Sequence, residues 1–239
     1  MFIGYSSSDD YDVTNNKGNS DAWLVKIKEN GDIEKQTNFG GSLDDFGVQL
    51  IEIDNNYIIS VGSFSADKDF AQKGRWIIKC NEGGNIVWKK HFNDLNGGAI
   101  GSTKNGDILV ANCSATDFIL YKLDGNGNIK VNKNINFTNQ NKKQPSANKI
   151  IESKDNGLII IGDLGGGNNQ DAVLFRTDSK FNYVEAKFIN GNNYDKSASI
   201  IQTGNGSYIY QIATSSTNLD LKIESDPLIA SMIISIIED

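Results

Sequence analysis

The chain is poor in the residues that usually carry catalysis. It has one histidine, His91, two cysteines, Cys80 and Cys113, and two prolines, Pro145 and Pro227, in 239 residues. One imidazole and two distant thiols do not make a zinc centre of the usual ligand types. A Ser-His-Asp or Cys-His arrangement would have to be built around His91, which sits at the end of a strand where other copies of the same pattern carry Asn38, Asn136 and Lys187. Two cysteines allow at most one disulfide and no disulfide framework, so free thiols are expected. Positive charge is also short: 23 basic against 30 acidic residues give a net charge of −7 and a pI near 4.8. A surface of that sign repels phosphate, which excludes nucleic acid and anionic membranes as expected partners. No apolar run reaches the length of a membrane span, and the most apolar segment, 227–237, is far too short, so no membrane insertion is expected. The opening MFIGYSSSDD has neither a basic n-region nor an apolar h-region and is read as lacking a signal peptide. A sustained helical period is missing throughout.

What is present is repetition. DAWLVKIKENGDI (21–33), GRWIIKCNEGGNI (74–86), TDFILYKLDGNGNI (116–129) and DAVLFRTDSKFNYV (171–184) each read as strand, basic residue, turn and strand. The basic position is Lys26, Lys79, Lys122 and Arg176, and Asn-Gly or Gly-Gly in the first three turns supplies the positive φ that tight hairpins require. The fourth turn, Ser179-Lys180, is degenerate. A second hairpin follows each time, at 48–64, 98–113, 148–163 and 198–214, with Leu50, Ile100, Ile150 and Ile200 falling fifty residues apart. The strands of one repeat are labelled A, B, C and D in chain order.

Four strands in about 50 residues is the period of a β-propeller blade. The expected fold is therefore all-β, a propeller of four-stranded antiparallel blades in a single domain, 1–239. Its full repeats are read at about 21–64, 74–113, 116–163 and 171–214. Residues 1–6 match the end of strand D, and the tail matches strand A. The reading is a five-bladed ring whose fifth blade is completed by the two termini, 1–6 with 226–239; a piece of a longer propeller is the alternative.

The pattern DAWLVK…NGDI…FGGSxDD…YIISVG resembles a repeat family of bacterial secreted and cell-surface proteins, most closely over Asp21–Phe64, with Trp88-Lys89-Lys90 matching its W-x-K strand. The third and fourth copies have drifted, with Phe137-Thr138-Asn139 and Phe188-Ile189-Asn190 in place of Phe-Gly-Gly. The resemblance implies a propeller in an extracellular or cell-surface setting. It implies no defined activity.

Candidate sites follow from the loops. The glycine-rich NFGGSLDDFG (38–47) is not a phosphate loop, since GxxxxGK[ST] spacing and a following helix are absent. The D–A and B–C connections fall at one rim, and loops on a rigid scaffold usually carry function. Asp44, Asp45, Tyr194 and Asp195 are the candidate ligand-binding residues there. Asp9, Asp10, Asp12, Asp67 and Asp69 are weak calcium candidates, because closely spaced carboxylates in a loop can supply oxygen ligands; otherwise no cofactor is expected. Asp12, Asp69 and Asp220 recur at one repeat position, which favours Asp-stabilised turns. The functional reading is a non-catalytic binding or scaffold module contacting protein or glycan. A carbohydrate-active hydrolase or lyase and a structural component of a larger assembly remain open.

Overall fold

The computed structural model describes residues 1–93, 96–136, 144–165, 170–189, 195–203, 208–214 and, for the backbone, 231–236. Every regular element among them is a β-strand. β1 (Phe2–Ser6), β2 (Asp21–Ile27) and β3 (Ile33–Phe39) make the first sheet. β4 (Asp45–Ile53), β5 (Asn56–Ser63), β6 (Gly74–Asn81) and β7 (Ile86–Phe92) make the second. β8 (Asn96–Ser102), β9 (Ile108–Cys113), β10 (Asp117–Leu123) and β11 (Ile129–Asn136) make the third, and β12 (Ser146–Glu152), β13 (Leu158–Leu164), β14 (Asp171–Thr177) and β15 (Tyr183–Ile189) the fourth. β16 (Asp195–Gln202), β17 (Tyr208–Thr214) and β18 (Ser231–Ile236) form the fifth.

Each four-stranded sheet thus has the order C-D-A-B. The A–B and C–D hairpins of one sequence repeat lie in successive sheets, so the sheet boundary falls at the B–C connection, half a repeat away from the boundaries read in sequence. The terminal strands differ from expectation. β1 pairs with β2 in the first sheet, whereas β18 pairs with β17 in the fifth and runs parallel to it. The two ends therefore do not complete one sheet together. A parallel neighbour cannot follow through a two-residue hairpin.

One turn design joins most hairpins. Lys28 N–H donates to the Asp32 carbonyl and Gly31 N–H to the Lys28 carbonyl, at 2.8 and 3.0 Å. The same pair of bonds recurs at Asn81–Asn85, Thr103–Asp107, Asp124–Asn128, Ser153–Gly157 and Asp178–Asn182. The residue with positive φ is Gly31, Gly84, Gly106, Gly127, Asn156 and Phe181 respectively. The turn that reads as degenerate therefore keeps the geometry, with Phe181 at φ +64° and its ring buried. Burial of the ring offsets the left-handed backbone cost.

The chain divides into two compact units, residues 1–108 with 123–130 and residues 109–122 with 131–239. The first is cored by Leu24, Phe39, Ile59, Val61, Phe70, Trp76, Ile78 and Cys80. The second is cored by Ile159, Ile161, Leu174, Ile189, Ile200, Tyr210 and Ile212. Alternation along each strand sends these aliphatic and aromatic side chains to a buried face. Neither cysteine is in a disulfide and both are buried, and burial pushes the Cys80 thiol up to about 12.

Candidate functional site

In the first unit three loops meet at the rim, residues 7–20, 40–44 and 64–73. The glycine-rich loop is held by the protein's own oxygen atoms. Gly40 N–H donates to Asp69 Oδ2 (3.0 Å), Gly41 N–H to Asp45 Oδ2 (2.8 Å), Ser42 N–H to Asp67 Oδ1 (2.8 Å) and Leu43 N–H to Ser65 Oγ (3.0 Å). Four consecutive amides, the arrangement that would cradle an anion, are filled from within. The glycines permit the close approach: a Cβ at Gly40 would lie 2.0 Å from Asp21 Oδ1, and one at Gly41 2.4 Å from Asp67 Oδ1.

Lys17 ties the junction together. Its ammonium donates to Asp69 Oδ2 at 2.5 Å and to the Asn38 carbonyl at 2.7 Å, and its backbone N–H donates to Asp21 Oδ2 at 2.6 Å. Asp21 is buried, and desolvation raises its carboxyl above the usual range. The Lys17 amide and ammonium pull it back down, while the charges of Asp45 and Asp69 add to the rise.

Asp45 and Asp195 occupy equivalent places and do the same work. The Asp45 amide donates to the Ser20 carbonyl (2.7 Å), as the Asp195 amide does to the Gln170 carbonyl (2.8 Å). The Asp45 carboxylate accepts from Ser65 Oγ at 2.8 Å, and that of Asp195 accepts from the Thr214 hydroxyl. Both side chains are 0% exposed. Both were read in sequence as ligand-binding residues; in the structure both are closed off from solvent, and Asp45 Oδ1 is buried without a hydrogen-bond partner among the described residues. Asp44 is half-buried, and its Oδ1 accepts from Ser20 Oγ at 2.8 Å. Tyr194 lies outside the described residues.

The calcium candidates do not converge. Asp67 and Asp69 hold the glycine loop, Asp9 Oδ1 accepts from the Asn16 amide at 3.1 Å, and Asp10 and Asp12 are exposed. Among the described residues no three His, Cys, Asp or Glu side chains gather in a way that could hold a metal ion. His91 has a structural occupation as well: its Nε2 faces the Lys73 carbonyl at 2.7 Å and its Nδ1 the Gln72 amide nitrogen at 2.8 Å, with the ring beside Trp76. The basic positions are engaged too: Lys26 with Glu34, Lys79 with the Gly125 carbonyl, and Arg176 with Asp155 and Glu185.

Two features escape sequence reasoning. In the second unit Asp163 accepts from the Ser197 amide (2.7 Å), the Ser197 hydroxyl (2.8 Å) and Asn148 Nδ2 (2.8 Å), and burial raises its carboxyl against those bonds. Asp163 and Ser197 stand 34 residues apart, and no short motif links them. In the first unit Tyr5, Phe46 and Phe64 stack edge to face, with ring centroids 4.9 and 6.2 Å apart, at the rim where Phe64 N–H also donates to the Asp44 carbonyl. Tyr5 and Phe64 are exposed. Their only sequence signal is an aromatic residue at strand ends.

No family model matches the chain, and no curated protein matches it. Among solved structures it is similar to a protein of unknown function from Bacteroides caccae, at 10% identity and a TM-score of 0.52 over 79% of this chain and 60% of that one. A candidate gluconolactonase matches at 12% identity and a TM-score of 0.46, over 77% of this chain and 60% of its own. A Bacteroides vulgatus protein of a family of unknown function matches at 10% identity and a TM-score of 0.42, over 72% and 64%. The chain spans less than two thirds of the length of each, and the likeness to the first is one of fold alone.

Proposed function

We propose that the chain is a β-propeller module, its sheets serving as blades, that acts as a non-catalytic binding or scaffold element of a surface or secreted protein. It contacts protein or glycan through the rim that carries the D–A and B–C loops. The propeller reading is supported by the recurring C-D-A-B sheets and the fifty-residue period, and the setting by the resemblance to secreted repeats. One observation carries binding over catalysis: at this rim Asp45 is closed off from solvent, while Tyr5, Phe46 and Phe64 are left as a run of aromatic rings with two members exposed. Hydrolysis of a glycosidic bond needs two carboxyl groups facing the substrate. An aromatic run offers a flat apolar surface to a sugar ring or to an apolar side chain.

The test is binding of the purified chain to immobilised glycans and to surface proteins of its source cell, beside Phe64→Ala. Binding weakened about tenfold or more by the substitution supports the reading. Release of reducing sugar or unsaturated product from any polysaccharide, unchanged in Phe64→Ala, sinks it in favour of the enzyme.

A further inference from the structure

Two segments of the rim are stitched side by side in the first unit. Ser42 N–H donates to Asp67 Oδ1 at 2.8 Å, Leu43 N–H to Ser65 Oγ at 3.0 Å, and Phe64 N–H to the Asp44 carbonyl at 3.0 Å. These bonds, in antiparallel order, hold residues 42–44 against residues 64–67. The surface they make is apolar and acidic at once. Leu43 is 40% exposed and Phe64 42%, Ala66 and Asp67 are exposed, and Asp44 is half-buried. Each carboxylate is fixed by one oxygen, Asp67 Oδ1 by the Ser42 amide and Asp44 Oδ1 by Ser20 Oγ at 2.8 Å. Among the described residues Oδ2 of each accepts no hydrogen bond. Neither segment contains a basic residue. The lysines of the flanking loops are turned elsewhere: Lys17 Nζ donates to Asp69 Oδ2 and the Asn38 carbonyl, and Lys68 Nζ to the Lys17 carbonyl.

Resting on the reading of this rim as a binding surface, we propose that its partner is a polypeptide segment carrying lysine or arginine beside an apolar side chain. Charge complementarity selects that partner. A long basic side chain lays its aliphatic stem along Leu43 and the Phe64 ring and brings its cationic head to the outward oxygens of Asp44 and Asp67. Because those carboxylates are already held in place, little freedom is lost when the cation arrives. Ring geometry disfavours an extended glycan. A run of sugars stacks on aromatic faces turned the same way, and the Phe46 ring stands at 85° to Phe64 and at 89° to Tyr5, so adjacent rings share no plane. A neutral glycan also leaves the charge of both carboxylates unmatched. A basic segment matches it, and an acidic one is repelled.

The experiment pans a random peptide library, displayed on phage, on the full chain, with subtraction on Phe64→Ala. The expected pool is enriched in sequences that set lysine or arginine beside an apolar residue. One synthetic peptide from that pool is then titrated against the chain, against Phe64→Ala, and against a double variant with Asp44→Asn and Asp67→Asn. Asparagine keeps the oxygen that holds each loop, so the surface stays built, which equal urea midpoints check. Affinity weakened about tenfold or more in both variants, and falling as salt rises, supports the proposal. A pool without basic enrichment overturns it, as does a basic peptide that binds the double variant as tightly as the wild type. Failure here is distinguishable from failure of the binding reading. A neutral glycan bound through Phe64, with no peptide selected, overturns the basic partner and leaves the rim a binding surface. The lack of any ligand of either kind that depends on Phe64 overturns both.

Discussion

The Ser65 hydroxyl donates to Asp45 Oδ2 at 2.8 Å, joining the loop that leaves β5 to the strand that begins β4. The same carboxylate oxygen takes the Gly41 amide at 2.8 Å, so one buried atom closes two loops. Asp45→Ala leaves both donors without an acceptor in a water-free place. Loss of about 3 kcal/mol is expected, read from urea denaturation. Asp45→Asn keeps one acceptor oxygen in the same place and should lose about 1 kcal/mol. Equal losses for the two would mean that the oxygen is not what holds the loops.

Asp21 makes stability depend on pH in a direction its carboxyl fixes. Burial raises its pKa above the ordinary 3.8, so the folded chain holds this proton more tightly than the unfolded chain. The resulting stabilisation is full below the ordinary value and is lost as pH rises through the raised one. Asp21→Asn stays neutral and is spared that loss. The stability of Asp21→Asn relative to the wild type should therefore climb with pH across that window and then level off, measured by denaturant titration from pH 3 to 8. A difference that is flat, or that falls with rising pH, would contradict the assignment.

Phe181 inverts the usual order of substitutions in a turn. Its φ of +64° costs about 1–2 kcal/mol for a residue with a Cβ. Its ring is 2% exposed, and removing a buried phenyl ring costs about 3–5 kcal/mol. Phe181→Ala loses the ring and keeps the backbone cost, whereas Phe181→Gly loses the ring and is relieved of it. Both variants should be destabilised, with the glycine variant the more stable by about 1 kcal/mol. Thermal unfolding of the pair decides it.

Cys80 should be silent toward thiol reagents in the folded protein. Reaction needs the thiolate, and burial pushes this thiol to about 12 while closing access to it. A chromogenic disulfide should label Cys80 within minutes in denaturant and leave it unmodified over hours in buffer. Rapid labelling in buffer would mean that β6 opens locally.

The strands were legible because their signals are local. Alternating apolar residues around Ile59, Ile78 and Leu174 and the Asn-Gly and Gly-Gly pairs mark hairpins without reference to the rest of the chain. Sheet membership was not legible. The ten-residue connection 64–73 joins two strands of one sheet, whereas the five-residue connection 40–44 passes between sheets. Connection length does not say which edges will bond. The site was legible in part. Asp44 and Asp45 read alike as adjacent carboxylates of a rim loop, yet strand alternation buries Asp45 completely and leaves Asp44 half in solvent.

By itself the sequence determined the all-β class, the fifty-residue period and the turn positions, because each follows from side-chain alternation and backbone preference within a few residues. The tertiary structure decided the rest. It set the C-D-A-B grouping, turned the carboxylates of the glycine loop inward, and brought Asp163 to Ser197. Hydrogen bonds and burial between segments tens of residues apart settle these, and no local preference encodes them.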